Sequence, residues 1–276
     1  MQFKYSKMNS QGNDFILVES ENFNLIKTSI SNIIRAIPFK FDQFLLLKRD
    51  SHKITCEIYN SDSSIALQCG NGLRAIMLYC NKKYQLENVD VRIGENTFSI
   101  SYKNSHEIVV NMGKPSSLII DDKKNIQKIS TEKLSELNLS FDASTKISYY
   151  LVNTSNNHCV IIDKCNDSLK EQVISHFDQN YKNMFNLGFM ENYQDYMNKI
   201  DSILNLSVYE RGAGWTDSCG SGATAASFVI MNILPDKDLV KVQQKGGSLS
   251  ISLDSKSDLL LSGPSTFEYD GELIVK

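Results

Sequence analysis

Apolar and polar positions alternate with a period near two through much of this chain. Runs rich in β-branched and aromatic residues fall at 15–19, 43–48, 54–59, 97–102 and 107–111. They recur at 149–153, 159–163, 206–210, 248–253 and 259–261, with turn residues between them. Such runs predict strands. Helical periodicity is rarer. Segments 131–137 and 168–177 carry mixed charge on one side, which predicts amphipathic surface helices. Two further helical segments differ: 73–79 holds a single charge, Arg74, and 223–231 holds none. A helix that is apolar around its whole circumference has to be buried on every side.

Each of these two segments follows a glycine-bracketed cysteine, Cys69-Gly70-Asn71-Gly72 and Cys219-Gly220-Ser221-Gly222. The cysteines lie 150 positions apart, about one domain length. An internal duplication accounts for this most simply, and it predicts an α/β fold of two similar domains, each wrapping strands around one buried helix. Gly113 and Pro115 make 112–117 the linker candidate, and Gly263-Pro264 marks a return of the chain to the first domain. The expected division is therefore 1–117 with 264–276, and 118–263.

Composition narrows the function. The 276 residues are 41% hydrophobic and 22% charged, ordinary for a globular chain and unlike collagenous or disordered sequences. A net charge of −3 argues against nucleic acid as the main partner and for a small polar molecule. Residues 1–7 lack the pattern of a signal peptide, and no apolar stretch approaches a membrane span, so a cytoplasmic, non-membrane protein is expected. In that compartment the six cysteines need not pair. None forms a C-x-x-C pair and the four histidines are dispersed, so no metal site is expected. Cys56, Cys80, Cys159 and Cys165 have no flanking glycines and read as core thiols.

A cysteine immediately before a helix meets the unpaired N–H groups of the first turn and the positive end of the helix dipole. Both favour thiolate. The glycines leave backbone N–H groups open to a carboxylate. Two such elements facing one substrate would put a sulfur on each side of it. One thiolate could then remove a proton from the carbon next to the carboxylate while the opposite thiol returns one to the other face. The helix ends would stabilise the carbanion-like intermediate, inverting the centre without a redox cofactor. Two plainer readings compete. Buried cysteine is a common core residue, and Gly220-Ser221-Gly222-Ala223-Thr224-Ala225 loosely fits the G-x-G-x-x-A dinucleotide fingerprint. The fingerprint wants an acidic residue about 20 positions on, where Asp236 and Asp238 are rough candidates only, and the first half shows no Rossmann alternation.

At these residues the chain resembles the diaminopimelate epimerase family. The block from Tyr209 through Glu210-Arg211-Gly212-Ala213-Gly214-Trp215-Thr216-Asp217-Ser218-Cys219-Gly220-Ser221-Gly222-Ala223 is similar to that family's E-R-G-x-G-x-T-x-x-C-G-[TS]-G-A signature. Gln68-Cys69-Gly70-Asn71-Gly72-Leu73-Arg74 is similar to its other cysteine block, and Gly12-Asn13-Asp14-Phe15 to its opening motif. The resemblance implies two pseudo-symmetric domains, each a mostly antiparallel sheet around a central helix, with the site in the cleft between them. It implies a cofactor-free homodimeric isomerase that interconverts LL- and meso-diaminopimelate, toward lysine and peptidoglycan. Cys69 and Cys219 match the catalytic positions, and His158 and Glu210 the auxiliary acid–base positions. Backbone groups of Gly70, Asn71, Gly220 and Ser221 would hold the reacting carboxylate. Arg211 would grip the distal carboxylate, with Asn60, Asn156 and Asn186 completing that end and Asn13 and Gln43 adding polar contacts. Arg74 reads as an exposed or paired charge.

Four departures concern loops. Ser63 stands where the family usually has glycine, Asn157 where it has proline, Asn9-Ser10-Gln11 is an unusual approach to Gly12, and 37–41 lacks the usual glycines. Other readings are a related racemase with another substrate, against which Arg211 argues, and a non-catalytic amino-acid-binding paralogue. Phenazine-pathway isomerases share the fold without the cysteine pair.

Overall fold

The computed structural model describes residues 2–66, 68–121, 126–129, 134–141, 145–182, 184–199 and 203–274. The chain forms two compact units, one of 1–111 with 262–276 and the other of 112–261. The expected linker at 112–117 ends inside a strand, Ser116–Ile120, which pairs with Ile126–Ile129 and with the strand Lys146–Asn153.

In the first unit the strands neighbour one another in the order Thr266–Ile274, Gln2–Ser10, Asn13–Glu19, Gln43–Asp50, Lys53–Asn60, Asn88–Ile93, Asn96–Asn104, Glu107–Asn111. Two neighbours are parallel, Asn13–Glu19 with Gln43–Asp50 and Lys53–Asn60 with Asn88–Ile93; the others are antiparallel. A parallel step needs a crossover, and helices supply both. Phe23–Thr28 and Ile30–Ala36 make the first, and Gly70–Tyr84 the second.

The second unit repeats the plan. Its order is Ser116–Ile120, Lys146–Asn153, Asn157–Ile161, Asn186–Met190, Leu204–Glu210, Leu239–Gln244, Gly247–Leu253. The parallel steps again come third and fifth among these pairings, bridged by helices Asp167–Tyr181 and Gly220–Ile233. Each unit is thus a mostly antiparallel α/β layer with the same two crossovers.

The crossover helices take opposite roles. Phe23, Ile26, Ile30, Ile33 and Ile34 face Ile16, Val18, Phe44 and Leu46 of their sheet, leaving the other side to solvent. Val173, Ile174 and Phe177 do the same against Leu151, Cys159, Ile161 and Leu187. In contrast, Gly70 to Cys80 is buried without interruption, and so is Gly220 to Ser227. That continuous burial is what their near-absence of charge predicts. Cys56, Cys80, Cys159 and Cys165 are buried free thiols of these interiors.

Several elements escape the pattern. Gln2–Ser10 is a strand although it contains two lysines and two serines; Lys7 is buried and held by Asp14 and Glu268 at 2.7 and 3.3 Å. The helical pair Phe23–Thr28 and Ile30–Ala36 was hidden by its isoleucines, which favour strands locally. Of the predicted helix 131–137, residues 131–133 lie outside the described residues, 134–136 form no regular element, and Leu137 opens a strand, Leu137–Ser140, on the edge of Lys146–Asn153. Among the described residues no helix is long and apolar enough to cross a membrane.

Candidate active site

In the first unit Cys69 is the N-cap of the helix Gly70–Tyr84. Its backbone is extended (φ −151°, ψ 105°), and its Sγ accepts a hydrogen bond from the Gly72 N–H at 3.3 Å. A thiol sulfur here does what a serine or aspartate oxygen does at ordinary caps, taking one of the orphan N–H groups. The thiol is partly exposed. The Asn13 Nδ2 lies 3.8 Å from Sγ as a long donor contact. Asn13 opens its strand from a two-residue turn in which Gln11 (φ 56°) and Gly12 (φ 87°) are both left-handed, and Ser10 pairs with Asn13 across it. The unusual approach to Gly12 therefore still closes a tight hairpin.

Gln43 and Asn60 start and end neighbouring strands and face each other in register. Gln43 Nε2 donates to Asn60 Oδ1 at 3.1 Å, and Asn60 Nδ2 donates to Ser64 Oγ at 2.9 Å. The Asn13 Oδ1 and Gln43 Oε1 are buried acceptors without a protein partner, oriented groups of the kind that receive a ligand. Ser63 takes the left-handed conformation (φ 72°) that glycine adopts more readily. The turn survives because Asp62 Oδ1 accepts from both the N–H and the hydroxyl of Ser64. At 37–41, Phe41 turns into the core and Asp42 bonds back to Asp14 through backbone and side chain.

Arg74 is neither exposed nor ion-paired, contrary to expectation. It has no solvent exposure, and among the described residues no carboxylate pairs with it. Its Nε donates to the Pro264 carbonyl at 3.1 Å, and one Nη donates to Gln11 Oε1 and Asn71 Oδ1, both at 3.0 Å. Burial draws its pKa down to about 10.

In the second unit Cys219 caps the helix Gly220–Ile233 with the same geometry (φ −124°, ψ 105°), accepting from the Gly222 N–H at 3.4 Å. Here the thiol is buried, and its Sγ lies 3.6 Å from Ser221 Oγ. Burial, reinforced by the neighbouring Glu210, holds this thiol well above the ordinary range. Glu210 shares a side-chain hydrogen bond with it and accepts from Thr216 Oγ1 at 2.7 Å. Burial raises the Glu210 carboxyl as well. Thiol and carboxyl can thus pass one proton between them.

His158 is fully buried. Its Nε2 is 3.0 Å from Ser221 Oγ, while its Nδ1 has no partner. Burial, and secondarily the charge of Arg211, push its pKa down to about 3, so the ring is neutral near pH 7. Asn186, paired with His158 in the parallel ladder, accepts the Arg211 backbone N–H at 3.1 Å and so fixes where that residue leaves its strand. The Arg211 side chain is exposed and unpaired among the described residues, available to an anion. Asn156 lies in the hairpin turn before His158, its carbonyl accepting the Thr154 N–H at 3.0 Å. Asn157, in place of the usual proline, accepts from Asn153 at 2.8 Å and closes that hairpin with a side-chain bond.

The first unit thus gathers Cys69, Gly70, Asn71, Asn13, Gln43 and Asn60 at one end of its sheet and buried helix. The second gathers Cys219, Gly220, Ser221, His158, Asn186, Glu210 and Arg211 at the corresponding end. The diaminopimelate epimerase family profile matches residues 5–118 and 150–267, which include every one of these residues. The chain belongs to the diaminopimelate epimerase family. A diaminopimelate epimerase from Blochmanniella floridana is 33% identical, covering 97% of this chain and 98% of the relative. One from Vesicomyosocius okutanii is 30% identical, covering 99% of both. The fold is also that of a hydroxyproline epimerase from Agrobacterium vitis solved with trans-4-hydroxy-L-proline (TM-score 0.67, 9% identity, 99% of this chain and 92% of that one). The family is one of isomerases that share this two-domain α/β architecture.

The sequence does not mark three residues as contacts of the capping helix ends. Gln244 Oε1 accepts the Cys219 N–H at 2.9 Å while its Nε2 donates to the Cys219 carbonyl at 3.3 Å, a two-point clamp on the capping residue. Thr154 Oγ1 donates to the Ser221 carbonyl at 3.1 Å, and Ser10 Oγ to the Asn71 carbonyl at 3.0 Å. Each sits inside an otherwise unremarkable strand or turn. Only tertiary contact brings it to the helix end.

Proposed function

We propose that this enzyme interconverts LL- and meso-diaminopimelate by proton exchange at the α-carbon between two thiols. The observation that carries the reading is the doubled cysteine cap: two sulfurs, each at the N-terminus of a buried helix, within a chain of this family. One thiolate takes the α-proton and becomes a thiol. The other thiol gives its proton to the opposite face and becomes the thiolate, so the protonation states are exchanged and the next turnover runs in the other direction. Charge that develops on the reacting carboxylate meets the N–H groups of Gly70, Asn71, Gly220 and Ser221. Neutral His158 and Glu210 relay and orient the proton at Cys219. Arg211 takes the distal carboxylate in a fork geometry, with Asn60, Asn156 and Asn186 ordering that end and Asn13 and Gln43 presenting their free acceptors to the substrate. The proton chemistry asks for no cofactor. The enzyme acts in lysine and peptidoglycan precursor synthesis in the cytoplasm, as a homodimer.

Proton NMR of the reduced protein with LL-diaminopimelate in D₂O tests this directly. Loss of the α-proton signal with growth of the meso isomer is expected. Absence of exchange by folded, reduced protein rejects the reading, and exchange of another amino acid's α-proton in its place would make the protein a racemase of different substrate.

A further inference from the structure

Arg74 is an anomaly of the first unit. A guanidinium without solvent exposure is stable only when its charge is matched and its five N–H donors are met. Here the partners are a carbonyl and two amide oxygens, all neutral, and Nη1 has none. Replacing an unmatched buried cation by a methionine of similar volume would ordinarily stabilise a fold. Its position suggests what matches it. Arg74 lies in the second turn of the helix that Cys69 caps, and its Nη binds the side chain of Asn71, two residues beyond that cysteine. Through Gln11 and Pro264 it also anchors the hairpin turn from which Asn13 reaches the Cys69 sulfur, and the segment whose Ser265 hydroxyl is 2.9 Å from that of Ser10.

We propose that Arg74 is a positioning residue that favours the thiolate of Cys69 in the resting enzyme, the sulfur supplying the negative charge that the buried guanidinium otherwise lacks. This deepens the reading of Cys69 as one of the two reacting thiols and rests on it. The electrostatics run in the same sense: a negative Cys69 acts on Arg74 to favour its charged form, against the burial that disfavours it.

Among the described residues, the other ionisable groups on the elements packed against this helix are neutral, engaged or exposed. Cys56, on Lys53–Asn60, is a buried thiol held neutral by burial. Lys7, on Gln2–Ser10, is neutralised by Asp14 and by Glu268 of Thr266–Ile274. Glu19, on Asn13–Glu19, is engaged by Arg49, Lys83, Tyr79 and Tyr84. The charged residues of Asn88–Ile93, Asn96–Asn104 and Glu107–Asn111, namely Asp90, Arg92, Lys103 and Glu107, are exposed. Arg74 is the one buried, unpaired charge among the described residues of this helix.

The test is the pH dependence of Cys69 alkylation by iodoacetamide in the reduced full-length protein, followed by mass spectrometry of the peptide that contains Cys69. It needs no substrate, so it is separable from failure of the epimerase assay. An ordinary cysteine gives a midpoint near pH ~8.5. The wild type is expected at least about one unit lower, Arg74→Met at least about one unit above the wild type, and Arg74→Lys close to the wild type. Arg74→Gln, which keeps a donor for Pro264 or Gln11, is carried in parallel in case the methionine variant does not fold, with circular dichroism as the check. In the epimerase assay Arg74→Met should lose kcat below pH 7 and regain it toward pH 9. A wild-type midpoint at or above about 8.5 overturns the proposal whatever the variants do. So does a folded Arg74→Met or Arg74→Gln protein that titrates like the wild type. A raised KM with an unmoved midpoint would reassign the guanidinium to a bound carboxylate and likewise overturn it.

Discussion

Cys69 and Cys219 cap their helices alike, with extended backbones and sulfurs 3.3 and 3.4 Å from the amide three residues on, but different ionisable groups stand near them. Five residues beyond Cys69 stands a buried Arg74; five beyond Cys219 stands Thr224, which is satisfied by the Gly220 carbonyl at 2.8 Å. The strand that leads toward each helix ends on Asn60 in one unit and on Glu210 in the other. Asn60 faces Gln43, and next to Glu210 the Arg211 N–H donates to Asn186. The two units thus share a backbone plan, while a buried cation stands one turn beyond one cysteine and a carboxyl hydrogen-bonds the other. The lesson is that a symmetric fold need not give two equal thiols.

The largest expected effect is also the simplest way to break the comparison. Cys69→Ala and Cys219→Ala should each abolish epimerisation, by about 10³-fold or more, with the fold intact, because a two-thiol exchange needs both partners. Near wild-type turnover by either variant would falsify the mechanism. The glycines three residues beyond the caps sharpen the contrast in packing. A Cβ on Gly222 would lie 3.0 Å from Val208 Cγ2 and 3.3 Å from the Cys219 sulfur, whereas one on Gly72 meets its nearest neighbours at 3.4 to 3.5 Å. Gly222→Ala should therefore cost ~1–3 kcal/mol in urea unfolding and displace the thiol. Gly72→Ala should be neutral or up to ~1 kcal/mol more stable.

A third effect belongs to the second unit alone. His158 has its pKa lowered from 6.5 to about 3 by burial, so above pH 6.5 the folded and unfolded states both leave it neutral. As pH falls below 6.5 the unfolded chain takes up a proton that the folded one refuses until about pH 3, and stability is lost across that window. His158→Gln should flatten the fall of Tm between about pH 6.5 and 4.5 relative to wild type. A parallel fall in both proteins would show that carboxylates alone set the acid limit. The smallest effect tests a loop of the first unit: Ser63→Gly, at φ 72°, should raise stability by ~0.5–1 kcal/mol.

Much of this was legible in the residues, for local reasons. The helices that begin at Gly70 and Gly220 follow from their uncharged runs and from the cysteines that cap them, because capping and burial patterns act within a few residues. Most of the strand runs in both halves were readable from alternation in the same way. The strand Gln2–Ser10 was not, since Lys7 is buried only because Asp14 and Glu268 come to it from two other strands. The described end of the predicted helix 131–137 failed for a related reason. The mixed charge of 131–137 looked helical, but at Leu137 the edge of Lys146–Asn153 takes the chain up as a strand.

The sequence by itself determined where the candidate groups stand: two cysteines placed before buried helices, an arginine and acid in one motif, and amides at strand ends. Those choices are local, encoded in glycine, capping and hydrophobic period. Only the tertiary structure decided their electrostatic state. It buried Arg74 without a carboxylate, made His158 a neutral ring and raised the Cys219 and Glu210 protons, because desolvation and long-range partners depend on what the whole chain packs around each group.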